Sequence, residues 1–200
     1  MIVQMMLAGF FFLLVIVTNI ASERFGWVTF NELAPEIKLQ KISDSPKKFK
    51  ISVVLILLEH VSIIALAAML FWAFSSNNFT LAIIWVVARP TEAVIQIYNK
   101  KNYWRLLDLA RQYPASSGAE KDALIQSADG ILKLKRSVFT FAQLLFSVGT
   151  LAYSILFVMH GVVPAIIGWF GIAAGAIYGF GNMMYVLNLR PKLCGVLEVC

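Results

Sequence analysis

Residues 51–74 have the sequence ISVVLILLEHVSIIALAAMLFWAF, an apolar run that only a few polar side chains interrupt. A helix needs about 20 apolar residues to cross the hydrocarbon core of a bilayer, so this run predicts a membrane-spanning helix. Four more stretches meet the same criterion. The five predicted spans are residues 2–21, 51–74, 79–98, 138–159 and 164–187.

The composition of the whole chain is that of a membrane protein. Hydrophobic residues make up 60% of the 200 residues and charged residues 14%, whereas soluble domains carry about 25% charged residues. The spans leave no room for a separate soluble domain. We therefore expect one all-α membrane domain over residues 1–200, a bundle of five transmembrane helices.

The basic residues predict the orientation of the bundle. Of the 17 Lys and Arg residues, 16 lie in the alternate segments 22–50, 99–136 and 188–200, and the exception is Arg89 inside a span. Because basic loops remain in the cytoplasm, the amino terminus is predicted outside and the carboxyl terminus inside.

This pattern also bears on the partners of the protein. The net charge of +6 needs no nucleic-acid partner, because positive inner loops account for it. The same residues predict contact with anionic lipid headgroups of the inner leaflet. A protein partner or a second copy of the chain stays open. The first span lacks the basic n-region of a signal peptide, so we expect it to be retained.

The two long inner segments differ in their predicted structure. Segment 22–50 is expected to be a loop in which Pro35 interrupts any helix. Segment 99–136 has apolar residues at helical spacing on both sides of a break at residues 114–118, which predicts an amphipathic helical hairpin. The hairpin either docks a partner protein or lies on lipid headgroups, and we favour the second interpretation.

Small residues mark the packing of the last span. Gly171, Gly175 and Gly179 recur every four residues, which places them on one helix face where another backbone can approach closely. Close packing within the bundle is favoured over a homo-oligomer contact. Pro90 lies in the middle of the third span, removes one backbone hydrogen bond and predicts a bend there.

Ionisable residues inside the spans are the candidate site. At 1.5 Å per residue, Arg89 lies about 15 Å from the outer edge, and Glu59 and Glu92 share a level about one turn deeper. A charge in hydrocarbon costs at least about 3 kcal/mol, so such residues pair, face a cavity or carry function. Gln96 and Asn99 continue the helix face of Arg89 and Glu92 towards the cytoplasm. Other polar residues are expected in the cytoplasmic half of the neighbouring spans: His60, Asn19, Gln143 and Asn182.

Two interpretations of this polar group carry equal weight. Glu59, Arg89 and Glu92 either form an ion network that holds the bundle in register, or they line a binding or proton-handling site that opens to the cytoplasm. Two carboxylates against one guanidinium leave a formal charge of −1, which suits a cation or a proton.

Signatures of catalysis and of cofactors are absent from the sequence. It has no zinc-binding helix motif, no nucleophile elbow and no phosphate-binding glycine loop. His60 and His160 are predicted about half a membrane apart, too far to ligate one haem iron. We therefore expect no metal and no cofactor.

A resemblance to one family rests on two segments. The sequence ARPTEA at residues 88–93 resembles the Arg-x-x-Glu-Ala element of the domain of unknown function 4386 family, which comprises small prokaryotic membrane proteins. Leu151-Ala152-Tyr153, followed by GVVP at residues 161–164 and by Gly168, is similar to the last two helices of that family. The resemblance implies a multi-pass protein of the prokaryotic inner membrane, with Arg89 and Glu92 as the element to test. It implies no activity.

Three functional hypotheses follow. The favoured one is a non-enzymatic structural or accessory subunit of a membrane assembly, held by the Glu59–Arg89–Glu92 network. The alternative is a protein that binds or transports a small molecule, a lipid, a proton or a cation, and it predicts a cavity that reaches Glu59 or Glu92. The most remote is an intramembrane enzyme that uses Glu59 and His60.

Overall fold

The computed structural model describes residues 2–187. Those residues contain seven α-helices and a short 3-10 turn at Tyr113–Ala115, and no strand. The helices are α1 Ile2–Arg24, α2 Trp27–Glu32, α3 Pro35–Asp44, α4 Pro46–Phe74, α5 Phe79–Gln112, α6 Gly118–His160 and α7 Ala165–Val186. Arg190 and Lys192 are the basic residues of segment 188–200 that contribute to the predicted orientation, and they lie outside the described residues.

Among the described residues, five helices are long and apolar enough to cross a membrane: α1, α4, α5, α6 and α7. This confirms the all-α class and the number of predicted spans. The orientation stays a prediction, because it follows from charge alone.

The spanning helices pack in chain order. α1 packs against α4, α4 against α5, α5 against α6 and α6 against α7. The two ends of this row, α1 and α7, do not pack extensively against each other. Each end helix is therefore covered by protein on one side, and most of its large apolar side chains are exposed to where the bilayer would lie.

Local sequence signals explain where these helices begin and end. Pro35 and Pro46 occupy the first turns of α3 and α4, where proline needs no backbone donor. The Asn78 side chain caps α5 by accepting a hydrogen bond from the backbone N–H of Leu81 at 3.1 Å. Gly161 ends α6 in the left-handed conformation, at φ 59°.

The expectation of a loop over residues 22–50 is wrong. The segment forms α2 and α3, and Pro35 begins a helix instead of preventing one. Both helices have apolar sides that pack near the amino-terminal end of α4, the carboxyl-terminal half of α5 and the amino-terminal half of α6. The core there combines Phe30, Leu39, Ile42, Phe49, Leu106, Leu107 and Ala128.

The hairpin of segment 99–136 is built from the ends of spanning helices. α5 and α6 continue without interruption past the predicted span ends and meet at the turn Tyr113–Ala115. α5 also remains one helix through Pro90. The cytoplasmic location of the hairpin and the bend at Pro90 stay predictions.

The glycine face of α7 packs within the bundle. A side chain at Gly171 would collide with Ser154 of α6, one at Gly175 would lie 3.0 Å from Leu151, and one at Gly179 would lie 3.0 Å from Ser147. This geometry agrees with close packing inside the monomer, because α6 fills the space that the absent side chains leave.

Candidate functional site

A large cavity lies between the five spanning helices. Its volume is about 1540 Å³, and α1, α4, α5, α6 and α7 all contribute to its wall, together with α2 and α3 at one end. Since α1 and α7 line the same cavity without packing extensively on each other, the row of helices curves around it and leaves an opening between its two ends.

Arg89 and Glu92 form a buried ion pair on the wall of this cavity. The Arg89 Nη1 atom donates to Glu92 Oε2 at 2.9 Å, and both side chains are buried. The guanidinium carbon lies 4.5 Å from the ring centre of Phe146 and 5.6 Å from that of Trp85. Aromatic faces attract a cation, so the rings contribute to holding this charge in an apolar layer.

The Arg89 side chain occupies space that is free because residue 149 of α6 is glycine. A Cβ atom at Gly149 of α6 would lie 2.7 Å from Arg89 Cγ and 2.9 Å from Cδ. The sequence analysis missed Gly149 and Phe146, although a lone glycine in an otherwise apolar span is the signal that marks such a close approach.

Glu59 does not join the predicted three-residue network. Its carboxylate accepts from the Asn19 side-chain amide, at 3.3 Å to Oε2, and so links α4 to α1. The described ion pairs of the chain do not include Glu59. The order of the helices explains this difference. α4 packs between α1 and α5, and the Glu59 side chain hydrogen bonds to Asn19 of α1 and not to a residue of α5.

His60 is buried and lines the same cavity. Its Nδ1 atom lies 2.6 Å from the carbonyl oxygen of Ile56, one turn back along α4. A carbonyl oxygen only accepts, so Nδ1 is the donor in this contact. This backbone contact fixes the orientation of the imidazole.

The remaining predicted polar residues divide into two groups. Gln96 and Gln143 are buried and line the cavity beside Arg89 and Glu92. Asn99 is buried and donates to the carbonyl oxygen of Lys135 at 3.3 Å. The structure does not bring Asn182 into this group: its half-buried side chain does not line the cavity and donates to the Tyr178 carbonyl oxygen within α7 at 2.8 Å.

Three buried lysines stand at the end of the cavity formed by α2 and α3. Lys38, Lys100 and Lys135 come from α3, α5 and α6, and their exposed fractions are 2%, 3% and 9%. Lys38 Nζ donates to the Asn31 carbonyl oxygen at 2.8 Å, and Lys135 Nζ donates to the Asn31 side-chain oxygen. Tyr103 also donates to that side-chain oxygen, at 3.3 Å.

Aromatic rings lie beside two of these three ammonium groups. Trp27 and Tyr103 stack with ring centres 4.8 Å apart. Lys100 Nζ lies 5.3 Å and 5.2 Å from those two rings, and Lys135 Nζ lies 4.6 Å from Tyr103. Burial, with a smaller contribution from Arg136, lowers the pKa of Lys38 to about 8.

The sequence analysis missed this lysine cluster. It used all three lysines as evidence of orientation, because basic residues near span ends normally lie in the headgroup layer. A signal was present in part: Lys100 follows Gln96 by four residues and therefore extends the polar face of α5 that begins at Arg89.

The described residues contain no group of three or more His, Cys, Asp or Glu side chains that could hold a metal ion. The polar cavity offers two kinds of chemistry instead. One end presents ammonium donors, and the middle presents the Arg89–Glu92 pair with two glutamine amides.

Comparison with known proteins gives one family. No curated protein and no solved structure showed significant similarity to the chain. The family model described as a domain of unknown function (DUF4386) matches residues 7–198, nearly the whole chain. The chain belongs to this family, as the resemblance in residues 88–93 and 151–168 had indicated.

Proposed function

We propose that the protein binds an amphipathic small molecule or lipid in the cavity of the bundle, as a carrier or binding protein and not as an enzyme. The cavity of about 1540 Å³ carries this proposal. Sites for small molecules commonly have volumes of about 300–1,000 Å³. A cavity of this size has room for a polar head together with apolar chains.

The wall of the cavity suits such a ligand. Polar and charged side chains of α4 and α5 line one part, whereas Val15, Ile63, Phe139 and Ala174 supply apolar surface. The opening between α1 and α7 would let an apolar chain enter from the bilayer, while the polar head moves along the face of α5. This favours the binding hypothesis over the subunit hypothesis that the sequence alone favoured.

The structural or accessory subunit remains the second candidate. The Arg89–Glu92 ion pair is the observation in favour of this candidate. The two charges are each other's partners, and Gly149 leaves the space that the Arg89 side chain occupies. An internal pair of this kind contributes to helix register without any ligand. This candidate predicts that the cavity is empty or filled by unspecific lipid, and that a protein partner covers the outside of the bundle.

The cellular setting is part of the proposal. The positive inner segments support a multi-pass protein of a plasma membrane, and the family resemblance supports a prokaryotic inner membrane. In that setting the end of the cavity that α2 and α3 form would face the cytoplasm.

A pair of matched variants tests the binding proposal. Ala174 lines the cavity, whereas Ala176 is an exposed alanine on the same helix that does not line it. Wild type, Ala174→Trp and Ala176→Trp are purified in mild detergent, and bound small molecules are extracted and identified by mass spectrometry.

We expect one amphipathic species to be enriched with wild type and Ala176→Trp and to be depleted at least tenfold with Ala174→Trp. An identical spectrum of bound lipids for all three proteins would contradict the proposal. A protein that co-purifies in a fixed ratio with all three would favour the subunit hypothesis.

A further inference from the structure

The three lysines of the cavity are unusual because each is at least nine-tenths buried and none forms an ion pair with a described side chain. Among the described side chains, ion pairs join Arg89 to Glu92, Arg111 to Asp108 and Lys133 to Asp129. Lys38, Lys100 and Lys135 have none. Burying an ammonium group without a counter-charge is costly, so buried charges are normally paired.

Neutral contacts satisfy two of these groups in part. Lys38 and Lys135 both donate to Asn31, each through one of the three N–H bonds that an ammonium group carries. Lys100 lines the cavity, and its ammonium group lies over the faces of Trp27 and Tyr103. The charges of Glu59 and Glu92 also act on Lys100, but neither carboxylate forms an ion pair with it. Donors therefore remain for an acceptor that occupies the space between the three helices.

Among the described residues, no carboxylate that lines the same cavity forms an ion pair with one of the three lysines. They are Glu23, Glu59, Glu92 and Asp129. Glu92 already binds Arg89, Glu59 binds Asn19, and Asp129 binds Lys133 at 2.6 Å. Glu23 is exposed, and no described ion pair includes it. Glu92 also stands eight residues before Lys100 on α5, which is about 12 Å along the helix axis.

We propose that Lys38, Lys100 and Lys135 form a binding site for the phosphate group of an anionic amphiphile. Lysine binds phosphate as a point charge, and three ammonium groups match the charge and the oxygen acceptors of a phosphate monoester. Asn31 holds two of the lysines in position. The inference rests on the proposed function, of which it names the ligand class.

The cavity determines how such a ligand lies. The phosphate group occupies the end formed by α2 and α3, and the apolar chains extend past Gln96 and Arg89 towards Ile63 and Thr150. Lys100 follows Arg89 by eleven residues, which is about 16 Å of helix and gives ample length for an acyl chain. The chains leave the bundle through the opening between α1 and α7.

The test compares two lipids that differ only in the phosphate group. Dioleoylphosphatidic acid and dioleoylglycerol are added to the purified full-length protein in detergent, and binding is measured by native mass spectrometry. The variants are Lys100→Met and Lys135→Met. The exposed Lys48→Met is the matched control, because it removes one positive charge near the headgroup layer but outside the cavity.

We expect wild type and Lys48→Met to bind the phosphatidic acid at least tenfold more tightly than the glyceride. Lys100→Met and Lys135→Met should lose this preference. Both should also unfold at the wild-type temperature or above when no ligand is present, because methionine replaces a buried charge by an apolar chain of similar length. This second readout separates a loss of the site from a loss of the fold.

Competition by inorganic phosphate distinguishes the source of the phosphate group. If millimolar phosphate displaces the lipid from wild type but not from Lys100→Met, the site stands and also accepts free phosphate. If the lipid resists displacement yet still depends on Lys100, the site stands and requires the attached chains.

Two results would overturn the inference. Equal affinity for both lipids in wild type would show that the cavity binds chains without a phosphate site, and the proposed function would survive. A preference for phosphatidic acid that persists in Lys100→Met and Lys135→Met would place the anion elsewhere. If neither lipid binds and Ala174→Trp changes nothing in the extracts, the proposed function itself fails.

Discussion

Arg89 is the residue whose surroundings are most specific in this bundle. It has a carboxylate partner in Glu92, an aromatic face in Phe146 and a glycine at position 149 that leaves room for its side chain. The Nε atom is buried and has no hydrogen-bond acceptor among the described residues. The charge is thus largely, but not completely, satisfied by protein groups.

The contact between Arg89 and Gly149 predicts that alanine substitutions at two glycines of α6 have opposite effects on stability. Gly149→Ala places a methyl group against the Arg89 side chain, whereas a Cβ atom at Gly130 meets no atom within 4 Å. We expect Gly149→Ala to lower the free energy of unfolding by about 1–3 kcal/mol through overpacking. Gly130→Ala should raise it by about 1 kcal/mol, since alanine favours helix. Denaturant unfolding in detergent, followed by circular dichroism, measures both, and equal effects would contradict the assigned contact.

Lys38 predicts a dependence of stability on pH. Burial lowers its pKa from 10.5 to about 8 in the folded protein. Between these two values the unfolded chain binds more protons than the folded one, so the Lys38 contribution to stability rises with pH. Below about pH 8 that contribution is constant, because both states are protonated.

The measurement for Lys38 is the unfolding temperature of ligand-free wild type and Lys38→Met between pH 7 and pH 10.5. The unfolding temperature of wild type should rise relative to that of Lys38→Met as the pH rises above about 8, which is the pKa of Lys38 in the folded protein. A difference that stays constant over the whole range would mean that Lys38 is not buried as described.

At the residue level, the sequence indicates a contact where spacing within one helix is sufficient. Arg89 and Glu92 lie three residues apart on α5, and helix geometry alone brings them together. The partner of Glu59 depended on which neighbouring helix it faces, and a single sequence contains no such information. The lysine cluster was missed because three separate elements bring it together.

At the scale of elements, α7 depends on a close fit to α6. Gly171, Gly175 and Gly179 lie against Ser154, Leu151 and Ser147, which follow one another at intervals of three and four residues along α6. Few other residues of α7 are buried. Its attachment to the bundle therefore relies on the close approach of two backbones.

Two glycines of α7 test this dependence. Gly171→Ala would force its methyl group against Ser154, whereas Gly181→Ala meets no atom within 4 Å. We expect Gly171→Ala to destabilise the protein by about 1–3 kcal/mol and Gly181→Ala to leave stability equal or higher. Particle mass is measured in parallel. A change of oligomeric state in Gly171→Ala, without loss of stability, would favour the homo-oligomer interpretation of the glycine face.

Element boundaries show where sequence patterns are informative. Apolar length predicted all five spanning helices, because a helix that crosses a bilayer leaves a long and unmistakable run. The short helices α2 and α3 were missed, since Pro35 suggested an interruption and their apolar residues are few. Proline at the first turn of a helix is favourable, and only the packing of α3 on α5 and α6 reveals this role.

At the scale of the whole molecule, the curved row of helices explains the cavity. A closed five-helix bundle would bring α1 against α7 and fill its centre with side chains. Here the ends of the row stay apart, and the polar face of α5 remains accessible from the interior. The sequence indicated a polar face and, in the binding alternative, a cavity that reaches Glu59 or Glu92. It did not indicate the size of that cavity, which depends on how five helices curve together.

The predicted orientation is tested by labelling single cysteines. The native Cys194 and Cys200 lie outside the described residues and are first replaced by serine. Ser76→Cys lies in the exposed connector between α4 and α5, and Ser117→Cys lies at the turn between α5 and α6. In intact cells, a membrane-impermeant maleimide should label Ser76→Cys and spare Ser117→Cys. The opposite pattern would reverse the orientation.

The central claim is that the cavity holds an amphiphile, and photo-cross-linking tests it most directly. A phosphatidic acid with a diazirine in its acyl chain is bound to the protein, activated by light and located by peptide mapping. We predict labels on residues that line the cavity, such as Ile63, Thr150 and Ala174. Labels confined to outward-facing residues such as Trp169 and Phe170, and unchanged in Ala174→Trp, would contradict the account.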